Sequence, residues 1–209
     1  MLFGPDDIGT LELRASPKGR GIRGRFPYNR RAVLSDGGKT GKPKKEEFAP
    51  GAFKYSIDHV EDSPIHLLSG HSYDRPLAST ANKTLALIDT AEALTFEAHI
   101  TPEVAKISWV QDLFGLMEAG LSIGLSPGFR IPPERAVPAD QAEKITQEAY
   151  DPSRNMYGAI IRTILQAILF ELSIVTRPAY DEAQVEARNW QPNDAGVIVP
   201  KPQSILRYR

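Results

Sequence analysis

Two serines stand among small residues in the stretch Gly120-Leu-Ser-Ile-Gly-Leu-Ser-Pro-Gly-Phe129. Run as an extended chain, it alternates its side chains between two faces. Leu121, Ile123 and Leu125 then point one way, and Ser122, Gly124 and Ser126 the other. The second face offers a hydroxyl beside glycines, which let another backbone approach closely. A nucleophilic serine needs that setting, although a Gly/Ser-rich strand and turn without chemistry has the same composition. Gly120–Gly124 and Gly124–Gly128 both fit G-x-S-x-G, the nucleophile elbow of α/β-hydrolases. The elbow reading fails on two grounds. In that fold the catalytic histidine follows the serine, whereas His59, His66, His71 and His99 all precede Ser122. The elbow also uses the N–H of the residue after the nucleophile, and after Ser126 that residue is Pro127, which has none.

A serine hydroxyl still needs a base, and neutral imidazole, with an ordinary pKa of about 6.5, is suited to the task. His71 follows the apolar run Ile65–Leu68 and a Ser69-Gly70 turn, so a loop at a strand end can present it. His99 lies on the polar face of its strand and is the next candidate. His59 falls near the end of a short helix, and His66 sits within an apolar run as a structural residue. A third group must fix the imidazole tautomer and stabilise the imidazolium. In Leu169–Val175 alternation places Glu171, Ser173 and Val175 on one face. A lone glutamate in such a strand is costly to bury unless paired. Its partner is a catalytic histidine or, with no catalysis, a cation such as Arg162 or Arg177. Asp74, Asp89 and His99 are rivals for the third place.

The elements that must carry these residues are mostly strands. Residues 8–16 alternate like a strand, a second strand runs around Gly24–Leu34, and Ser35–Glu47 reads as an exposed basic loop. A short helix is expected at 51–60 and strands at Ile65–Leu68, Leu85–Ile88 and Leu94–Ile100. Thr101-Pro102-Glu103 supplies an N-cap, a first-turn proline and an acid. Val104, Ile107, Val110, Leu113, Phe114 and Met117 then recur at helical spacing up to Gly120, so one helix is expected over 102–119. Pro132–Ala142 reads as a loop. Lys144–Tyr150 and Tyr157–Leu165 read as strands joined by a turn at Asp151–Asn155, and Ala167–Thr176 as an apolar strand. A short helix is expected within 177–189. Many strands with one good helix argue for a β-barrel or α+β fold rather than a doubly wound sheet.

Composition sets the outer bounds. The chain has 209 residues, 41% of them hydrophobic and 24% charged, which suits one globular domain. The expected division is a domain over 1–189 and a weakly packed C-terminal tail over 190–209. A net charge of −1 gives no footprint for nucleic acid. No apolar run is long enough for a membrane-spanning helix, and the N-terminus lacks a signal-peptide pattern. With no cysteine, disulfides, thiol nucleophiles and thiolate metal sites are excluded, which suits a reducing cytoplasm. No phosphate-binding loop or clustered metal-ligand histidines occur, so no cofactor and no metal are expected.

Four segments occur in a telling order: Phe48-Ala-Pro-Gly-Ala-Phe53, Leu67-Leu-Ser-Gly-His71, Gly124-Leu-Ser-Pro-Gly-Phe129 and Glu171-Leu-Ser-Ile-Val-Thr-Arg-Pro-Ala179. Together they resemble the prohead (capsid maturation) proteases of HK97-type tailed phages, over about residues 10–185. The resemblance implies a serine peptidase with the herpesvirus assemblin fold, a mainly β, α+β-type barrel with a few surrounding helices. It implies His71 as base, Ser126 rather than Ser122 as nucleophile, and Glu171 as the acidic member. Ser72 and Ala78 depart from the Asp or Asn and the Gly that members commonly carry there.

The implied substrates are scaffold, major capsid protein and the protease itself, inside an immature capsid in the host cytoplasm. Ser35–Glu47 and 190–209 are the segments expected to be open to self-cleavage. The resemblance also implies dimerisation, a homodimer, with the 102–119 helix as a candidate surface, although the preferred reading of its apolar stripe is that it covers the chain's own core. The oxyanion donor is left to Gly128 N–H or to a loop such as that around Arg154. A catalytically inactive assembly protein keeping the fold, and an esterase using the same triad, are the other readings.

Overall fold

The computed structural model describes residues 11–16, 19–38, 41–122, 124–154, 156–176, 178, 190–192 and 198–200. In chain order the first strands are β1 (Leu11–Ser16), β2 (Gly19–Pro27), β3 (Ala32–Ser35), β4 (Lys44–Phe48), β5 (His66–Ser69), β6 (Ser72–Ser79), β7 (Leu85–Asp89) and β8 (Ala93–Ile100). They are followed by β9 (Gly124–Arg130), β10 (Glu143–Gln147), β11 (Tyr150–Asp151), β12 (Met156–Tyr157), β13 (Ile160–Ile164), β14 (Ile168–Val175), β15 (Trp190–Pro192) and β16 (Ile198–Pro200). Among the described residues four helices intervene: α1 (Lys54–Asp58), α2 (Pro102–Ala105), α3 (Ser108–Glu118) and α4 (Ala139–Ala142). Among the described residues strands outnumber helices sixteen to four, so the architecture is mainly β, as the sequence pattern predicts.

Three four-stranded sheets form the body, in orders β1-β2-β8-β7, β10-β13-β4-β3 and β6-β5-β14-β9. Among the described residues no sheet closes into the expected barrel. The third sheet shows one physical reason. Its edge strands carry prolines, Pro76 in β6 and Pro127 in β9. Proline has no N–H to give to a further strand, so it is at home on an edge.

Other boundaries also move. The strand expected at Gly24–Leu34 breaks between β2 and β3, where Asn29 takes a positive φ of 56°. The basic loop is shorter than charge suggested. Lys44–Phe48 is β4, parallel to β13 and antiparallel to β3, with Glu46 and Phe48 buried. Its charges are matched: Arg162 donates to Glu46 at 3.1 Å, and Lys45 to Glu148 at 3.3 Å. The helix over 102–119 divides at Ile107, which is extended (ψ 131°) and caps α3. Thr101 caps α2 as expected, accepting from Val104 N–H at 3.4 Å. Of the turn expected at Asp151–Asn155, Pro152–Arg154 form a 3-10 turn between the paired strands β11 and β12, and Asn155 lies outside the described residues. In the tail, β15 pairs with β16. The helix expected within 177–189 lies outside the described residues.

Apolar faces converge on one core. Leu94, Phe96, Ala98 and Ile100 are buried on one face of β8, as alternation predicts. Val110, Leu113, Phe114 and Met117 of α3 are buried in the same core, so the helix covers its own chain. No helix among the described residues is long and apolar enough to cross a membrane. An aromatic cluster anchors the site's sheet: Phe53, fully buried, lies 4.9 Å from Phe48 and 6.5 Å from Phe129 of β9, centroid to centroid. Phe53→Ala removes the middle of this cluster. The expected cost is about 3–5 kcal/mol, read as a lower urea midpoint with an unchanged slope.

Candidate active site

The third sheet collects the residues singled out for chemistry. β5 and β6 meet in a two-residue hairpin, Gly70-His71, with Ser69 opposite Ser72. Both central residues have positive φ, 65° for Gly70 and 59° for His71. Such a pair marks the type I′ turn that matches strand twist. Glycine takes this conformation freely, and histidine is among the side chains that enter it more often than most. The turn lifts His71 off the strand end, and its side chain is 47% exposed.

β14 runs beside β5 and carries Glu171, 3% exposed, and Ser173, fully buried. A β-bulge between Leu169 and Glu171 changes which residues face the core. Leu169, Leu172 and Ile174 all pack inward although their spacing breaks strict alternation. Without the bulge Glu171, two residues after Leu169, would share its core face. With it, Glu171 and Ser173 turn together to the other side.

There the two meet His71. Nδ1 of His71 lies 2.6 Å from Oε1 of Glu171, and the Ser173 hydroxyl donates to Oε2 of Glu171 at 2.6 Å. The backbone N–H of His71 donates to Ser173 Oγ at 3.0 Å. An ionised carboxylate only accepts hydrogen bonds, so Nδ1 is the donor. In the neutral ring Nε2 then carries the lone pair that takes a proton.

β9 lies on the other side of β14, antiparallel, with Ser126 opposite Ser173 and Gly128 opposite Glu171. Directly opposed residues share a face, their Cβ atoms about 5 Å apart. The register therefore puts Ser126 on the face that holds Glu171 and Ser173. Leu125, on the other face of β9, joins the core. Ser126 is only 2% exposed, so His71 is the open side of the site. Gly128 makes room: a Cβ there would stand 2.0 Å from Oε1 of Glu171 and 2.5 Å from its carboxyl carbon. Gly128→Ala must push the carboxylate off both its donors. The expected result is a weakened or lost His71–Glu171 bond in a folded variant, read by proton NMR as an upfield move or loss of the low-field Nδ1–H resonance of His71.

The other candidates are placed elsewhere. Ser122 is buried where α3 ends; its N–H and that of Leu121 both bond Leu116 O, so the extended run starts only at Gly124. Gly120, with φ 71°, and Leu121 close the helix in a Schellman motif. His99 lies on β8 and Asp89 on β7, in the first sheet, where Asp89 accepts from Tyr28 OH at 2.6 Å. Asp74 is exposed on β6. His59 stacks on Tyr55 at 4.3 Å. Arg162 is engaged by Glu46 and Glu143, and Arg177 lies outside the described residues. The Arg154 side chain is 78% exposed and paired with Asp151.

Two neighbours had no signal strong enough to single them out. His66, opposite Glu171 across the parallel pair, meets Tyr73 edge to face at 5.9 Å. Burial, and then the charge of Glu171, raise the Tyr73 hydroxyl above its ordinary pKa.

Against known proteins, a family model described as caudovirus prohead serine protease matches residues 36–195 of the 209. Comparison with curated proteins and with solved structures gives no match.

Proposed function

The chain belongs to the caudovirus prohead serine protease family, and from that premise we propose that Ser126, His71 and Glu171 form its catalytic triad and that its substrates are capsid-assembly proteins. The observation that carries this reading is the 2.6 Å bond from His71 to Glu171 on the face that β9 gives to Ser126. Ser122 sits at a helix exit, in another setting.

In the proposed reaction Ser126 Oγ attacks the carbonyl carbon of the scissile peptide and its proton passes to His71 Nε2. Glu171 holds the ring through Nδ1 and balances the charge of the imidazolium. The tetrahedral intermediate breaks its C–N bond, and His71 returns the proton to the departing amine. Water, deprotonated by the same nitrogen, attacks the acyl-enzyme and releases an acid and Ser126. Pro127 supplies no N–H to the oxyanion. Gly128 N–H remains the nearest candidate along the chain.

Scaffold, the major capsid protein and the protease itself are the expected substrates, met inside the immature capsid in the host cytoplasm. Self-cleavage needs an extended, accessible segment. β4 is paired on both sides, so within the basic region the favoured segment narrows to residues 36–43, beside the tail 190–209. An assemblin-like fold is part of the same proposal, supported by the motif order and the mainly β architecture. Co-expression of this chain with its neighbouring capsid protein, followed by intact mass, tests the function. Shortened capsid protein supports it. Unchanged masses favour an assembly role without catalysis, and turnover of small esters alone favours an esterase.

A further inference from the structure

We propose that Ser173 is a positioning residue that locks His71 and Glu171 into one unit; the proposal rests on the triad reading above. Ser173 lies between Leu172 and Ile174 with no exposed surface. An alanine would suit such a position, because a buried hydroxyl is costly unless its hydrogen bonds are made. Here they are made, and both go to the same pair. The hydroxyl gives its proton to Glu171 Oε2 at 2.6 Å and accepts the His71 backbone N–H at 3.0 Å.

A ring of contacts results. It runs from the His71 backbone to Ser173 Oγ, through the Glu171 carboxylate, and back to His71 Nδ1. Each carboxylate oxygen has its own donor, so the group cannot turn about its last torsion without losing one. The His71 backbone, held at a φ of 59° that L residues seldom adopt, gains an acceptor that no strand ladder gives it. The histidine is thereby gripped at main chain and ring together, and the aim of Nε2 follows from both. Ser126 stands directly across the strand pair from Ser173, so the same residue fixes the base at the register position of the nucleophile.

The test compares wild type, Ser173→Ala and Ser173→Thr in three ways. Thermal unfolding checks the fold. Processing of a capsid-derived peptide gives kcat and KM. Proton NMR of protein carrying 15N-histidine follows the low-field Nδ1–H of His71. For Ser173→Ala the expected result is a folded protein, a kcat lower by about 10²-fold, little change in KM, and a low-field resonance that moves upfield or is lost to exchange. Threonine keeps the hydroxyl, and where it folds it restores the resonance. A folded Ser173→Ala with unchanged kcat and an unchanged resonance overturns the proposal. Failure of the triad reading is distinct: processing would survive Ser126→Ala, whatever the resonance does.

Discussion

Ser126→Ala is expected to stop capsid-protein processing, with a rate lower by about 10⁴-fold or more. The substitution removes one oxygen from a site that is 2% exposed, and the alanine methyl fits where the serine methylene stood. Thermal unfolding is therefore expected to stay within a degree or two, and the loss falls on chemistry alone. Without Oγ no acyl-enzyme forms, and His71 has no hydroxyl to activate. Ser122→Ala is the matched control. Its backbone belongs to the exit of α3, and its processing rate is expected to match wild type. Intact mass of co-expressed capsid protein reads both variants in one experiment.

Glu171→Gln is expected to cost about 10⁴-fold in kcat, the scale seen when the acidic triad member becomes an amide. The amide keeps the shape of the carboxylate but not its charge. Only one of the two positions that accept in the wild type remains an oxygen, and each position has its own donor there: the His71 ring at Oε1 and the Ser173 hydroxyl at Oε2, each at 2.6 Å. Whichever donor meets the NH₂ group instead must turn away or change its proton. If that donor is the ring, Nδ1 becomes an acceptor and Nε2 carries the hydrogen, the wrong tautomer for a base. The imidazolium also loses its counter-charge. Steady-state kinetics on a capsid-derived peptide check this, with kcat falling and KM little changed.

Much of this site was legible in the sequence because it rests on local rules. Ser69-Gly70 after an apolar run marked a strand end just before His71; the turn lies one residue later, at Gly70-His71, so His71 is part of it. Alternation after Glu171 put Ser173 on its face, and the two share a hydrogen bond. Thr101 and Gly120 marked helix ends by cap chemistry, and both sit at helix ends. What was not legible depends on pairing across the chain. The bulge before Glu171 shows only in the β9–β14 register. The role of Gly128 is visible only once the Glu171 carboxylate lies where its side chain would be. Glu46 looked like part of a solvated charge run, because Arg162, its partner at 3.1 Å, stands 116 residues away. The break at Ile107 defeated periodicity, since residues on either side keep helical spacing while one ψ does not. Barrel closure likewise depends on sheet edges, and Pro76 and Pro127 are edge features only when the strand order is known.

The central claim is that Ser126 is the nucleophile served by His71 and Glu171. The most direct measurement is reaction of processing-competent protein with a small fluorophosphonate, followed by peptide mass mapping. The account predicts one adduct, on Ser126, formed in step with the loss of processing and absent from Ser126→Ala. An adduct on Ser122, or loss of processing with Ser126 unmodified, would contradict it.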